Sequence, residues 1–148
     1  MERILAAVDG SASSLKAVDL AADLAGKYKA ELVLVTVEHD IVPVISEEVR
    51  AYARAEHIED LTSDPGFAVA QNVIAGARLQ AQAKGAPLVA TEVGSGDPAE
   101  AIIDLAKNRN ADLIVIGSRG HGRLAGLLLG SVAQKVVAHA VCPVLVVR

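Results

Sequence analysis

The sequence predicts an α/β protein built on a parallel five-stranded sheet with helices on both faces. Three observations carry this. Five short runs of mostly branched apolar residues, at 4–8, 32–37, 88–93, 113–116 and 144–147, read as strands buried on both faces. The stretches between them place apolar residues at helical spacing, and strand alternating with helix is the pattern of a parallel sheet. Hydrophobic residues make up 52% of the chain but aromatics only 2%, with no Trp, so Val, Leu, Ile and Ala must fill the core, which suits a sheet flanked by Ala-rich helices.

Taken in order, the first strand gives way to a helix with Ser11 as its N-cap and Gly26 at its end, its spacing set by Leu15, Val18, Leu20 and Leu24. The long segment after the second strand is interrupted by Asp64-Pro65-Gly66, a turn signal, and divides into two helices at about 46–61 and 67–84. Val69, Val73, Ala77 and Ala81 form the buried stripe of the second. The first, with Val49, Tyr52 and Ile58 among many charges, is a weaker amphipath, either a surface helix or a cover beside a ligand cleft. Asp97-Pro98 supplies an N-cap and a proline at the first helical position ahead of Ile102, Ile103 and Leu105.

At 148 residues the chain is long enough for one domain, 1–148, with a sizeable core, and too short for two ordinary ones. A net charge of −4 gives no general attraction to nucleic acid or an anionic membrane. Cys142, the only cysteine, leaves no internal disulfide and lies in an apolar stretch where a reduced, buried thiol is expected. Neither a secretory signal nor a run of about 18 apolar residues is visible, so a cytoplasmic location is expected. His39, His57, His121 and His139 are scattered without ligand spacing, and no intrinsic metal site is expected.

The most specific feature lies after the fourth strand. Gly117-Ser-Arg-Gly120 is followed, nine residues on, by Gly130-Ser131 at the expected start of a helix. Glycines permit positive φ and close approach of a ligand to the backbone, and the N-terminus of a helix offers unpaired N–H groups and a positive dipole end to phosphate. The structural alternative is that Gly117 and Gly120 shape a turn while Gly130 lets a helix pack closely. Gly94-x-Gly96-x-x-Ala99 and Gly120-x-Gly122-x-x-Ala125 fit a loose dinucleotide fingerprint but lack its position after the first strand, and neither a P-loop nor a nucleophile elbow is present.

With Ile4-Leu-Ala-Ala-Val-Asp9-Gly-Ser11, Gly96-Asp-Pro-Ala-Glu100, Asp112 to Gly120 and Cys142-Pro-Val-Leu-Val-Val147, the motif resembles the universal stress protein family over nearly the whole chain. Gly-x2-Gly-x9-Gly-[Ser/Thr] is that family's ATP-binding signature. The resemblance implies a Rossmann-like sheet of order 3-2-1-4-5, with the ligand crevice between the first and fourth strands. Position by position, it makes Gly117, Gly120, Gly130 and Ser131 the phosphate-binding residues, joined by the Val132 N–H. It puts Asp9 at the ribose hydroxyls or at water around a metal, with a plain loop cap as the alternative. Ala7, in the first strand, and Val37, ending the second, become contacts to the nucleotide, Val37 at the adenine. Arg119, His121 and Arg123 add positive charge to the same loop, either at phosphate or on a solvated face.

The implied function is a cytoplasmic stress-response protein that binds ATP, or ADP or AMP, with Mg2+ able to arrive on the phosphates. It also implies a homodimer paired along the last strand, Val144–Val147, which would protect an exposed apolar edge. No residue stands out as a general base, so a binding module is expected rather than a dedicated enzyme, with slow hydrolysis through Asp9 and a metal as a variant. A nucleotide-independent interaction protein is the alternative. An adenylate-forming enzyme is disfavoured, because Asp9-Gly-Ser11 matches neither signature of that class.

Overall fold

The computed structural model describes residues 1–38, 55, 65–121 and 128–148. In chain order the elements are β1 (Arg3–Ala7), α1 (Ala12–Tyr28), β2 (Glu31–Val37), α2 (Pro65–Ala83), β3 (Leu88–Gly94), α3 (Pro98–Asn108), β4 (Leu113–Gly117), α4 (Ser131–His139) and β5 (Val144–Val147). The five strands form one sheet of order β3-β2-β1-β4-β5, and every pairing is parallel. Each apolar run therefore became a strand, in the order that the resemblance implied, but β3 and β5, at the two edges of the sheet, are half-exposed rather than buried on both faces as expected. The helix expected at 46–61 lies outside the described residues.

Alternation along the strands divides the core between two faces. Ile4, Ala6, Val8, Leu32, Leu34 and Val115 pack with Ala17, Val18, Ala21, Ala22 and Ala25 of α1 and with Ile74, Ala77 and Ala81 of α2. Leu5, Ala7, Val33, Val35, Ile114 and Ile116 turn the other way, onto Ala99, Ile102 and Ala106 of α3 and Ala133 and Val136 of α4. Alanine on the helices replaces the volume of aromatic side chains with closer approach of the backbones.

Three local expectations are corrected. Helix α1 does not end at Gly26 but runs on to Tyr28, capped by Lys29 at φ 54° with its N–H bonded to the Ala25 carbonyl. Gly26 instead lies where a Cβ would stand 3.4 Å from the Gly85 carbonyl oxygen, so the residue serves helix-to-loop packing. Helix α2 opens at Pro65 itself, with the proline at a first-turn position where its missing N–H costs nothing. Its buried stripe is Ala70, Ile74, Ala77 and Ala81, with Val73 half-buried, while Val69 is exposed.

The end of the sheet where β1, β2 and β4 begin is laced by polar contacts. Asp112 Oδ2 accepts the backbone N–H groups of Glu2 (2.6 Å) and Arg3 (2.9 Å). The Arg3 guanidinium pairs with Glu31 and donates to the Arg109 carbonyl, and Arg109 pairs with Glu92. At α3, Asp97 caps Ala99 and Glu100 and meets Lys135 of α4 at 3.1 Å. The Arg3 and Glu2 N–H groups hold the Asp112 carboxyl below its ordinary value of 3.8. The Glu100 N–H, then Lys135, does the same for Asp97. A carboxylate lowered in the folded state stabilises it above the unfolded value and stops doing so as pH falls through the folded value. The melting temperature of wild type should therefore decline below about pH 4, and Asp112→Asn should show a lower plateau at pH 7 with a shallower acid decline, measured by calorimetry across pH 2–7.

Candidate functional site

Strand β1 feeds α1 on one face of the sheet, and β4 leads towards α4 on the other. The two chains diverge at the strands' carboxyl ends, and a cleft of about 370 Å3 opens there. Of the eleven residues that the sequence places at the site, the ten described ones line it: Ala7, Asp9, Val37, Gly117, Arg119, Gly120, His121, Gly130, Ser131 and Val132. One wall is apolar, built from Val35 and Val37 of β2 with Pro98 and Ile102 of α3. The other end is polar, where the loop after β4 meets the first turn of α4.

That first turn is arranged as an anion would need it. Gly130 is the N-cap and has no side chain to cap the helix, and its own N–H is already bonded to the Ser118 carbonyl at 2.7 Å. The next three N–H groups, of Ser131, Val132 and Ala133, have no acceptor within an α-helix, and their residues line the cleft. The contribution expected of the Gly130 N–H thus passes to its neighbours.

The glycines differ in what their missing side chains allow. None of Gly117, Gly120 and Gly130 has positive φ, so close approach, not backbone freedom, accounts for them. A Cβ on Gly117 would fall 2.7 Å from the Ser14 nitrogen and 2.8 Å from the Ser13 carbonyl carbon, inside the start of α1. On Gly120 it would stand 2.7 Å from Asp9 Oδ2. On Gly130 the nearest atom, Arg119 Cα, is 3.5 Å away, an ordinary contact. Backbone packing demands Gly117; at Gly120 the close atom is the tip of the Asp9 side chain, and at Gly130 the contact is ordinary.

Asp9 takes the role of a loop cap as well as a place in the cleft. Its Oδ1 accepts the Ser11 N–H at 2.9 Å, and Gly10, at φ 80°, turns the chain beside it. His121 is not simply solvated, since its Nε2 donates to the Asp9 carbonyl oxygen. The Arg119 carbonyl accepts from the hydroxyls of Ser11 and Ser13. Arg123 lies outside the described residues. Among those described, no cluster of three His, Cys, Asp or Glu side chains is placed to hold a metal, and no helix is long and apolar enough to cross a membrane.

A sequence model of the universal stress protein family matches residues 1–148. The chain belongs to the universal stress protein family. Universal stress protein YxiE of Bacillus subtilis is 36% identical over 146 residues, covering 99% of this chain and 98% of its own. Universal stress protein MJ0531 of Methanocaldococcus jannaschii is 35% identical, over 99% of this chain and 82% of its own. Among solved structures, UspA of Lactobacillus plantarum superposes with a TM-score of 0.76 at 28% identity, over 99% of this chain and 97% of the other. A universal stress protein in complex with cAMP superposes with a TM-score of 0.73 at 32% identity, over the same shares.

In this universal stress protein, sequence reasoning missed Ser13, Ser118, Pro98 and Ile102. Ser13 donates its hydroxyl to the Arg119 carbonyl, and Ser118 bonds through its own backbone to Val147 and Gly130, which no spacing announces. Pro98 and Ile102 looked like helix residues only, and the order of the sheet turns them towards the cleft. Cys142 is half-buried, and burial followed by the nearby Asp112 charge raises its thiol pKa, which leaves little thiolate at neutral pH.

Proposed function

We propose that this universal stress protein binds an adenine nucleotide, ATP or the related ADP and AMP, in the cleft between β1 and β4. The observation that carries the reading is the first turn of α4: three backbone N–H groups without helical acceptors, beside a glycine whose side-chain space no packing demands. A phosphate there gains charge-assisted hydrogen bonds of about 1.5–3 kcal/mol each and the favourable end of the helix dipole. Val35, Val37, Pro98 and Ile102 offer the apolar wall for the base. The cAMP complex of a relative at 32% identity supports the same ligand class.

Asp9 is the one carboxylate among the described residues of the cleft, placed for the ribose hydroxyls or for water on a Mg2+ ion that arrives with the phosphates. Its Oδ1 is already engaged by Ser11 and the His121 Nε2 by the Asp9 carbonyl, which supports a site that holds nucleotide rather than turning it over at speed. The protein acts in the cytoplasm, in stress response, as a homodimer. The half-exposed apolar strand β5, at one edge of the sheet, is the surface on which two copies pair.

Thermal unfolding with ATP, ADP, AMP and GTP, each with and without Mg2+, tests the reading. At 100 times its dissociation constant a ligand adds about 2.7 kcal/mol to folding, or roughly 5–10 °C for a domain of this size. A shift with adenine nucleotides and a smaller one with GTP is expected. No shift at millimolar nucleotide would instead favour a nucleotide-independent interaction protein.

A further inference from the structure

We propose that Ser118 is a positioning residue of the cleft, joining the ligand-facing turn of α4 to the end of β5, so that nucleotide affinity depends on a carbonyl outside the cleft. The proposal rests on the nucleotide reading above and names a control on that site. Ser118 is 5% exposed, and its two backbone groups point in different directions. Its N–H donates to the Val147 carbonyl at 2.6 Å, and its own carbonyl accepts the Gly130 N–H at 2.7 Å. Val147 is the last residue of β5 and does not line the cleft, whereas Gly130 is the N-cap of the helix whose first turn does.

The residues on either side leave Ser118 little room to compensate. Gly117 is held against the backbone of Ser13 and Ser14, and the Arg119 carbonyl is fastened by the hydroxyls of Ser11 and Ser13. Among the described residues, strand β5 is paired on one side only, to β4. Removing the Val147 carbonyl leaves a buried N–H without its acceptor, and Ser118, held at both ends, can seek another only by tilting its own carbonyl. The Gly130 N–H moves with it, and the three donors behind Gly130 lose their fixed aim. Binding then has to reorder a turn that the intact protein presents in advance.

Two shortened chains separate this from a general loss of structure. One stops after Val147 and keeps an acceptor in its terminal carboxylate; the other stops after Val146 and has none at that position. Calorimetric titration with Mg·ATP, repeated at two protein concentrations to separate any change in self-association, should give about tenfold weaker binding for the chain ending at Val146. The chain ending at Val147 should stay within about twofold of full length. Equal affinity of all three overturns the proposal. A full-length protein that binds no nucleotide overturns the underlying reading first, and this proposal with it. In the full chain, amide exchange by NMR gives a second measurement that needs no truncation. Saturating Mg·ATP should slow exchange at Ser118 by tenfold or more. The Asp112 amide, bonded to the Arg3 carbonyl at the far end of the sheet, should change much less. An unaltered Ser118 rate overturns the relay.

Discussion

Gly130→Val is expected to lower adenine-nucleotide affinity by 100-fold or more while the ligand-free protein melts within a few degrees of wild type. Among the described residues a Cβ at this position meets no atom closer than 3.5 Å, an ordinary contact, so the first side-chain carbon fits without displacing backbone. Its methyl groups enter the space in front of the first turn of α4. Losing two charge-assisted bonds at about 1.5–3 kcal/mol each gives the expected factor, since each 1.4 kcal/mol is tenfold. The cost to folding is the poorer N-cap, about 1 kcal/mol, or roughly 2–4 °C. Calorimetric titration and a melting curve on the same sample check both halves. Wild-type affinity in the variant would remove the phosphate from this turn.

Gly117→Ala should instead lower stability first, and with a single methyl group. The added carbon would lie 2.7 Å from the Ser14 nitrogen, a contact with backbone that no rotamer change relieves. Either α1 retreats from β4 or the end of β4 shifts, and both carry core residues. Overpacking of this kind costs about 3 kcal/mol or more, a fall of roughly 6–12 °C in Tm. Urea unfolding should show a lower midpoint at an unchanged slope. Nucleotide affinity should fall too, since the serines at the start of α1 that hold the Arg119 carbonyl must move with the helix. A melting temperature equal to wild type would mean that the approach of α1 to β4 is looser than the described geometry.

The contrast between these glycines shows what spacing can and cannot tell. Gly117, Gly120 and Gly130 stand out in the sequence as one motif, and the structure brings all three to one cleft. What each is for depends on the neighbour across the gap, which is the backbone of α1 for Gly117, the Asp9 side chain for Gly120 and, at ordinary contact distance, the loop backbone at 118–120 for Gly130. The central strands were legible because a chain buried on both faces has no room for polar residues, and Leu32 to Val35 are all apolar and almost fully covered; the edge strand β3 carries Thr91 and Glu92 and is half-exposed. Helix phase was less legible. Val69 is more hydrophobic than Ala70, yet Ala70 is the buried one, because a helix lying close on other alanine-rich surfaces selects for smallness. Gly26 misled for a related reason, since a glycine can mark a helix end or a close contact and only the position of Gly85 decides.

The contacts among Arg3, Glu31, Arg109 and Asp112 gather at the opposite end of the sheet from Asp9, Gly130 and Ser131. Durability and recognition are thus written at opposite poles of the molecule. Substitutions in the first group can drift, or be engineered for hotter or more acidic surroundings, while the ligand sees the same doorway. Such a protein can be retuned for a new habitat without forgetting what it holds.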